Sequence, residues 1–278
     1  MPFFVIAGTF HIQGYQPDGD SIRFKANNEA NWAKLSGPTV ALNGRRHAQL
    51  RLEAIDTLET HFMNTHQPLA LANKATEALL HGLGITGLET DALRTQVTAA
   101  VDGTEGYIIS RSVEKNHRPV AFVFAGKPPV ADGAKFFLDV AHLRKSVNYQ
   151  QLETGLAYPT YYQGLFPDLR KACTNAVHKA RAEHLGLWAE DRTNTGFTVD
   201  GLAAITERNV ILPKLFRRLV EYLQGGGTVG VFKEYMEARA EAIFIISTAH
   251  YTHFDTILEV AGETVRMTEP PENLLFIE

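Results

Sequence analysis

Two acidic stretches stand at the ends of runs that alternate apolar and polar residues. Pro17-Asp18-Gly19-Asp20-Ser21-Ile22-Arg23-Phe24 reads as a turn leading into a strand. Arg51-Leu52-Glu53-Ala54-Ile55-Asp56-Thr57-Leu58-Glu59-Thr60-His61 reads as an extended run ending in a cluster of one guanidinium and carboxylates. Arg118 heads a third run, Val120-Ala121-Phe122-Val123-Phe124. Hydrolysing a phosphodiester requires neutralising the non-bridging oxygens, activating a water in line and stabilising the departing oxygen. Asp20 and Asp56, with the Thr57 carbonyl, are hard oxygen donors suited to a calcium-sized ion. Glu59 lies three residues beyond Asp56 and suits the acceptance of a proton from the attacking water. Arg51 and Arg118 carry planar forks that match phosphate oxygens bidentately, which lysine cannot do. Together they have the parts of a metal-assisted phosphodiesterase.

Each residue also has a plainer reading. Asp20 suits a turn in which it bonds its own backbone. Arg51 and Glu53 share a strand face, and Glu53 is expected to be solvated there. Arg118 taken alone is an ordinary surface arginine. His250, His253 and Asp255 have chelating spacing, but no third ligand motif supports them, so surface or packed positions are expected. His61 and His66 are expected as solvated loop residues. Tyr158, Tyr161 and Tyr162 suit stacking on bases or filling a seam between barrel and helix equally well. Leu215-Phe216-Arg217-Arg218 predicts an amphipathic helix with a solvated basic edge.

The elements that must position these residues follow from periodicity and turn residues. The chain has 278 residues, enough for one large domain or two modest ones. Strands are predicted over Phe3 to Gln13 and Asp20 to Ala26, with a polar piece around Trp32 between Asn27 and Pro38. Two more, Thr39 to Leu42 and His47 to Ile55, flank Asn43-Gly44, which predicts a type I′ hairpin. Helical spacing begins near Leu71 and stops at Gly82 and Gly84, and a second helix is predicted over Leu88 to Ala100. Strands follow at Gly106 to Arg111 and Val120 to Phe124, separated by the turn Glu114 to Arg118. Lys135 to Glu153 reads as helical with a break near Ser146, and Asp168 to His184 as a helix that buries Cys173. Beyond Thr195 come a helix holding Leu212 to Arg218, the glycines Gly225 to Gly227, a helix over Phe232 to Ile246, and a hairpin at Ala261-Gly262. The expectation is an α+β chain: a five-stranded OB-type barrel with helices over residues 1–195, and a C-terminal α+β extension over 196–278.

Three motifs, in order, resemble the active-site segments of the staphylococcal-nuclease-like family: Asp18-Gly19-Asp20-Ser21-Ile22-Arg23-Phe24, Arg51 through Thr60, and Arg118 through Phe124. Val147-Asn148, Leu152, Gly155-Leu156-Ala157 and Leu185-Gly186-Leu187-Trp188 are similar to that family's ending. The resemblance runs from about residue 3 to 190, with extra pieces near 27–38, 88–100 and 127–145. It implies calcium-dependent cleavage of DNA and RNA with little sequence specificity. It places Asp20, Asp56 and Thr57 at the metal and Arg51, Glu59 and Arg118 in catalysis, and it matches Lys115 and Tyr161 to nucleotide-contacting positions. The chain departs from the pattern at Leu58, where the family has proline, which implies a less rigid loop around Glu59. It departs again at Asn116-His117, where the family has Tyr-Gly, and at Pro119.

A net charge of −4 argues against a broad electrostatic coating of nucleic acid, so contacts with DNA or RNA are expected to be local. One cysteine excludes an internal disulfide and a multi-cysteine zinc site. No signal peptide or membrane-length segment is read, and the simplest address is the cytoplasm. A calcium site with two carboxylates is weak, roughly 10⁻⁴ to 10⁻³ M, and largely empty at cytosolic calcium. Action after release, action during calcium influx, or gating by the extension would each reconcile these expectations. The rival expectation is a catalytically silent OB module that binds nucleic acid or protein.

Overall fold

The alternating runs become strands in a computed structural model, which describes residues 2–91 and 96–277. In chain order, β1 (Phe3–His11), β2 (Ser21–Ala26), β3 (Ala48–Leu52) and β4 (Ile55–Asp56) precede α1 (Leu69–Gly82). Next come β5 (Thr86–Thr90), β6 (Val97–Val101), β7 (Thr104–Val113), β8 (Pro119–Ala125), β9 (Lys135–Phe136), α2 (Val140–Leu143) and α3 (Val147–Glu153). They are followed by β10 (Tyr158–Pro159), β11 (Tyr161–Tyr162), α4 (Pro167–Ala182), β12 (Phe197–Thr198), α5 (Pro213–Gln224) and α6 (Phe232–Arg239). The last strands are β13 (Ala242–Ile245), β14 (His250–His253), β15 (Leu258–Ala261), β16 (Thr264–Met267) and β17 (Leu274–Phe276). Two compact units result: Met1–Glu53 with Thr76–Gln151, and Ala54–Ala75 with Leu152–Glu278.

The first unit is built on a closed barrel. β1 pairs with both β2 and β7, so the order β1-β2-β3-β8-β7 returns to β1. The β3–β8 pair is parallel and the other four are antiparallel. This is an OB-like five-stranded barrel with helices, in a mixed α+β chain, and its closure removes free sheet edges. Period-two patterning explains β2: Ile22, Phe24 and Ala26 are buried while Arg23 and Lys25 alternate with them. Two glycines permit the tight coiling where β1, β2 and β7 meet. A Cβ on Gly8 would lie 2.1 Å from the Lys25 carbonyl oxygen, and one on Gly106 would lie 2.4 Å from both Phe10 and the Phe124 oxygen. The polar piece near Trp32 is a short 3₁₀ helix capped by Asn28, and Trp32 meets Phe24 edge-on at 6.2 Å.

Several local expectations are corrected. The helix predicted over Leu88 to Ala100 is the β5–β6 hairpin where it is described, while residues 92–95 of that expectation lie outside the described residues. Thr86, Thr90, Val97, Thr98 and Val101 are β-branched, and that stiffness outweighs the helical spacing. The turn at Asn43-Gly44 is not type I′: Arg46, rather than Asn43 or Gly44, takes the positive φ, at 63°. The Asn43 side chain accepts from the backbone N–H groups of Arg45 and His47 and closes a longer turn. Thr39 to Leu42 has only a bridge at Leu42. Lys135–Phe136 is a strand paired with β1, and the break near Ser146 separates α2 from α3. The helix from Phe232 ends at Arg239, because Ala240 turns left-handed (φ 48°) and the apolar alternation of β13 begins.

The second unit carries short sheets and three longer helices. β4 pairs with β10, setting Asp56 opposite Tyr158. A four-stranded sheet runs β11-β17-β13-β14, and a three-stranded sheet runs β12-β16-β15. α4 buries Leu169, Cys173, Ala176, Val177 and Ala180, as its spacing predicts. α5 buries Pro213, Leu215, Phe216, Leu219 and Val220. Among the described residues no helix is long and apolar enough to cross a membrane.

Candidate functional site

In the first unit the barrel brings the acidic turn and two arginines to one end of neighbouring strands. Ser21 stands opposite Arg51, and the Leu52 N–H donates to the Asp20 carbonyl at 2.9 Å. Arg51 stands opposite Val120 across the parallel pair, two residues after Arg118. Asp20, Arg51 and Arg118 are thus gathered by register.

Arg118 donates from Nε to Glu114 at 3.0 Å, and its backbone N–H does so at 3.2 Å. Its Nη1 and Nη2 make no hydrogen bond among the described residues. Burial works against the Glu114 charge, but the bonded Arg118 more than offsets it, leaving the carboxyl below its ordinary pKa. Lys115 is exposed in the same turn. His117, where the resemblance expects glycine, adopts a φ of 64°. Its Nδ1 lies 2.7 Å from the Thr39 carbonyl oxygen, and its N–H donates to the Glu114 carbonyl. These bonds hold the left-handed conformation that glycine would take freely.

One face of α3 fastens these strand ends. Asn148 is 1% exposed: its Oδ1 accepts from the Val123 N–H at 3.0 Å, and its Nδ2 donates to the carbonyls of Glu53 and Ala121. The Gln151 amide, three residues on, donates to the Gly19 carbonyl inside the acidic turn at 2.5 Å. The i, i+3 spacing of two amides on a buried helix face was the available sequence signal for these positions. Glu53 is 7% exposed, which corrects the solvated reading. Next to it in kind is Asp18, whose buried Oδ1 has no hydrogen-bond donor among the described residues. An acceptor left in that state is what a bound cation satisfies, so the donor chemistry of the turn fits a hard metal ion.

The second unit holds Asp56, Thr57 and Glu59, which are 6% exposed, 3% exposed and half-buried respectively. The loop around Glu59 is tied down despite Leu58. Leu58 is buried, Gln67 Oε1 accepts from the Glu59 N–H at 3.2 Å, and the Gln67 N–H donates to the Glu59 carbonyl at 2.8 Å. Gln67 is itself fully buried and donates onward to the Ile211 carbonyl at 2.8 Å.

Arg217 of α5 reaches the two carboxylates. Its Nη1 and Nη2 donate to the two oxygens of Asp56 at 3.0 and 2.8 Å, and Nη1 also donates to Glu59. Burial disfavours the guanidinium charge, but Asp56 and Glu59 more than compensate and hold its pKa well above the ordinary arginine value. The expected solvated basic edge is therefore corrected. Arg217 is only 24% exposed, and Arg218 is held by Glu221 and Glu241.

No family model and no curated protein matches the chain.

The remaining candidates lie as follows. Tyr161 has a fully buried ring, and its hydroxyl lies 3.0 Å from that of Thr174. Tyr158 is also buried and donates to Asp191 at 2.6 Å. These two rings are core residues in this fold. His61 bonds Thr60, and His66 lies against the Gln67 carbonyl. His250 is exposed, His253 half-buried, and Asp255 buried.

Proposed function

We propose that this chain is a metal-dependent phosphodiesterase that cleaves DNA and RNA, of the kind the staphylococcal-nuclease-like family represents. The observation that carries the reading is the register of the barrel, which gathers an acidic turn and two arginines at neighbouring strand ends. The buried Asp18 oxygen beside Asp20, which has no hydrogen-bond donor among the described residues, supports a cation there. By the resemblance alone, Asp20, Asp56 and the Thr57 carbonyl are the residues that would hold calcium. A bound divalent cation polarises a phosphoryl oxygen and lowers the pKa of a coordinated water. Arg51 and Arg118 neutralise the non-bridging oxygens as charge builds, and the two Nη groups of Arg118, which make no hydrogen bond among the described residues, suit a bidentate contact. Glu59 accepts the proton of the attacking water. Lys115 offers a further cation for the nucleotide chain.

The test is digestion of labelled single-stranded DNA by the whole protein, in millimolar calcium or in chelator, beside a Glu59→Gln variant. Calcium-dependent cleavage that falls by about 10²- to 10⁴-fold in the variant is expected if Glu59 is the base. A second reading, a silent module that binds nucleic acid or protein, is favoured by one observation: both Asp56 oxygens are already engaged by Arg217. Binding of the DNA without cleavage by either protein would select it.

A further inference from the structure

The proposed calcium ligand Asp56 and proposed base Glu59 face a built-in cation. Arg217 spans them with one fork, occupying both oxygens of Asp56 and one of Glu59. One lone pair on each Asp56 oxygen is thereby turned to the guanidinium rather than to a metal, and one Glu59 oxygen is engaged by the same cation, so a divalent ion must compete with Arg217 for this pair. The arm is a side chain on a well-anchored helix. Phe216 meets Phe62 edge-on at 6.4 Å, Gln224 donates to the Met63 carbonyl at 3.1 Å, and the Ile211 carbonyl just before α5 receives Gln67. α5 thus packs on the 57–67 loop through contacts that do not involve Arg217. The neighbouring cations Lys214 and Arg218 are turned to Glu241 instead, so Arg217 is the member of this basic stretch directed at the candidate site. Its side chain keeps 24% of its surface in solvent, which leaves a route outward by rotation about its own bonds.

We propose that Arg217 is a latch that competes with the divalent cation: its guanidinium closes the site by holding Asp56 and Glu59, and calcium opens it by displacing that arm. This regulation rests on the phosphodiesterase reading. It also supplies a physical form for gating by the C-terminal part of the chain. Cation affinity is then the intrinsic affinity scaled by the fraction of molecules in which the arm is withdrawn, so removing the arm raises affinity without touching a ligand.

The experiment is calcium titration by calorimetry of the full chain and of Arg217→Gln, paired with cleavage of single-stranded DNA across the same calcium series. The expected result is that the variant binds calcium about ten- to hundredfold more tightly and cleaves at calcium concentrations where the wild type does not. Arg217→Lys keeps a charge but loses the two-pronged grip, and it should fall between them; it carries the test if the glutamine variant does not fold, with folding checked by circular dichroism. Equal calcium affinity and equal cleavage in all folded proteins would overturn the latch while leaving the phosphodiesterase in place. Folded proteins that neither bind calcium nor cleave, with or without the arm, would overturn the phosphodiesterase and the latch with it.

Discussion

His47 shows how a single residue couples this fold to pH. It is 6% exposed, its ring stacks on His11 at 4.0 Å, and its Nδ1 lies 3.0 Å from the Tyr15 hydroxyl. Burial first, and the neighbouring His11 second, hold its pKa down to about 4 from an ordinary 6.5. Between those values the unfolded chain binds more protons than the folded one, so stability rises with pH across that window and is lost as pH falls from 6.5 to about 4. Urea midpoints of the first unit should therefore drop between pH 7 and pH 5, and His47→Gln should flatten the drop. A residual slope is expected from His142, whose pKa burial also lowers. A midpoint that is independent of pH in the wild type would refute this account.

At the scale of elements, α3 decides whether the strand ends stay in place. Asn148 satisfies one backbone N–H and two carbonyls with a side chain that is 1% exposed. Asn148→Ala leaves those groups without partners in the interior and should destabilise the first unit by about 2–4 kcal/mol. Trp32 lies in the first unit and Trp188 in the second, so fluorescence in a Trp188→Phe background reads the first unit alone. Gln151 has a different role on the same helix, because its bond goes to the acidic turn itself. Elements also correct expectations drawn from spacing: a helix is expected over Leu88 to Ala100, yet the described parts of that stretch pair as strands.

For the whole molecule, charge sets how it meets a polyanion. With Lys plus Arg at 27 against Asp plus Glu at 31, no overall positive charge draws nucleic acid in. Several of the arginines and lysines are already paired internally, as Arg181 is with Glu272 and Arg218 with Glu241. If the proposed contacts are those of Arg51, Lys115 and Arg118, single-stranded DNA binding should fall with salt on a log–log slope of about −2. A measured slope steeper than about −5 would mean that a larger basic surface is engaged. The folding of the second unit also draws on distant parts of the chain: β11 pairs with β17, and Gln67 bonds Ile211 at a separation of 144 residues.

The sequence by itself determined what depends on neighbours along the chain. Alternation at Ser21 to Ala26 and a continuous apolar run at Pro119 to Ala125 made strands, helical spacing made α1 and α4, and a carboxylate or arginine at each candidate position was simply read off. Those features are local because strand and helix periods are set by backbone geometry within a few residues. Where two local preferences conflicted, as in the β5–β6 hairpin or at the end of α6, the outcome waited on pairing with other strands. Only the tertiary structure decided which charges meet. Arg217 lies 161 residues from Asp56 along the chain, and nothing in Leu215-Phe216-Arg217-Arg218 distinguishes an arginine bound for carboxylates from one bound for solvent. The same holds for Gln151, Gln67 and the Asp18 oxygen that has no donor among the described residues. A charged or amide side chain takes the partner that folding brings within hydrogen-bond reach, and that reach is a distance in space.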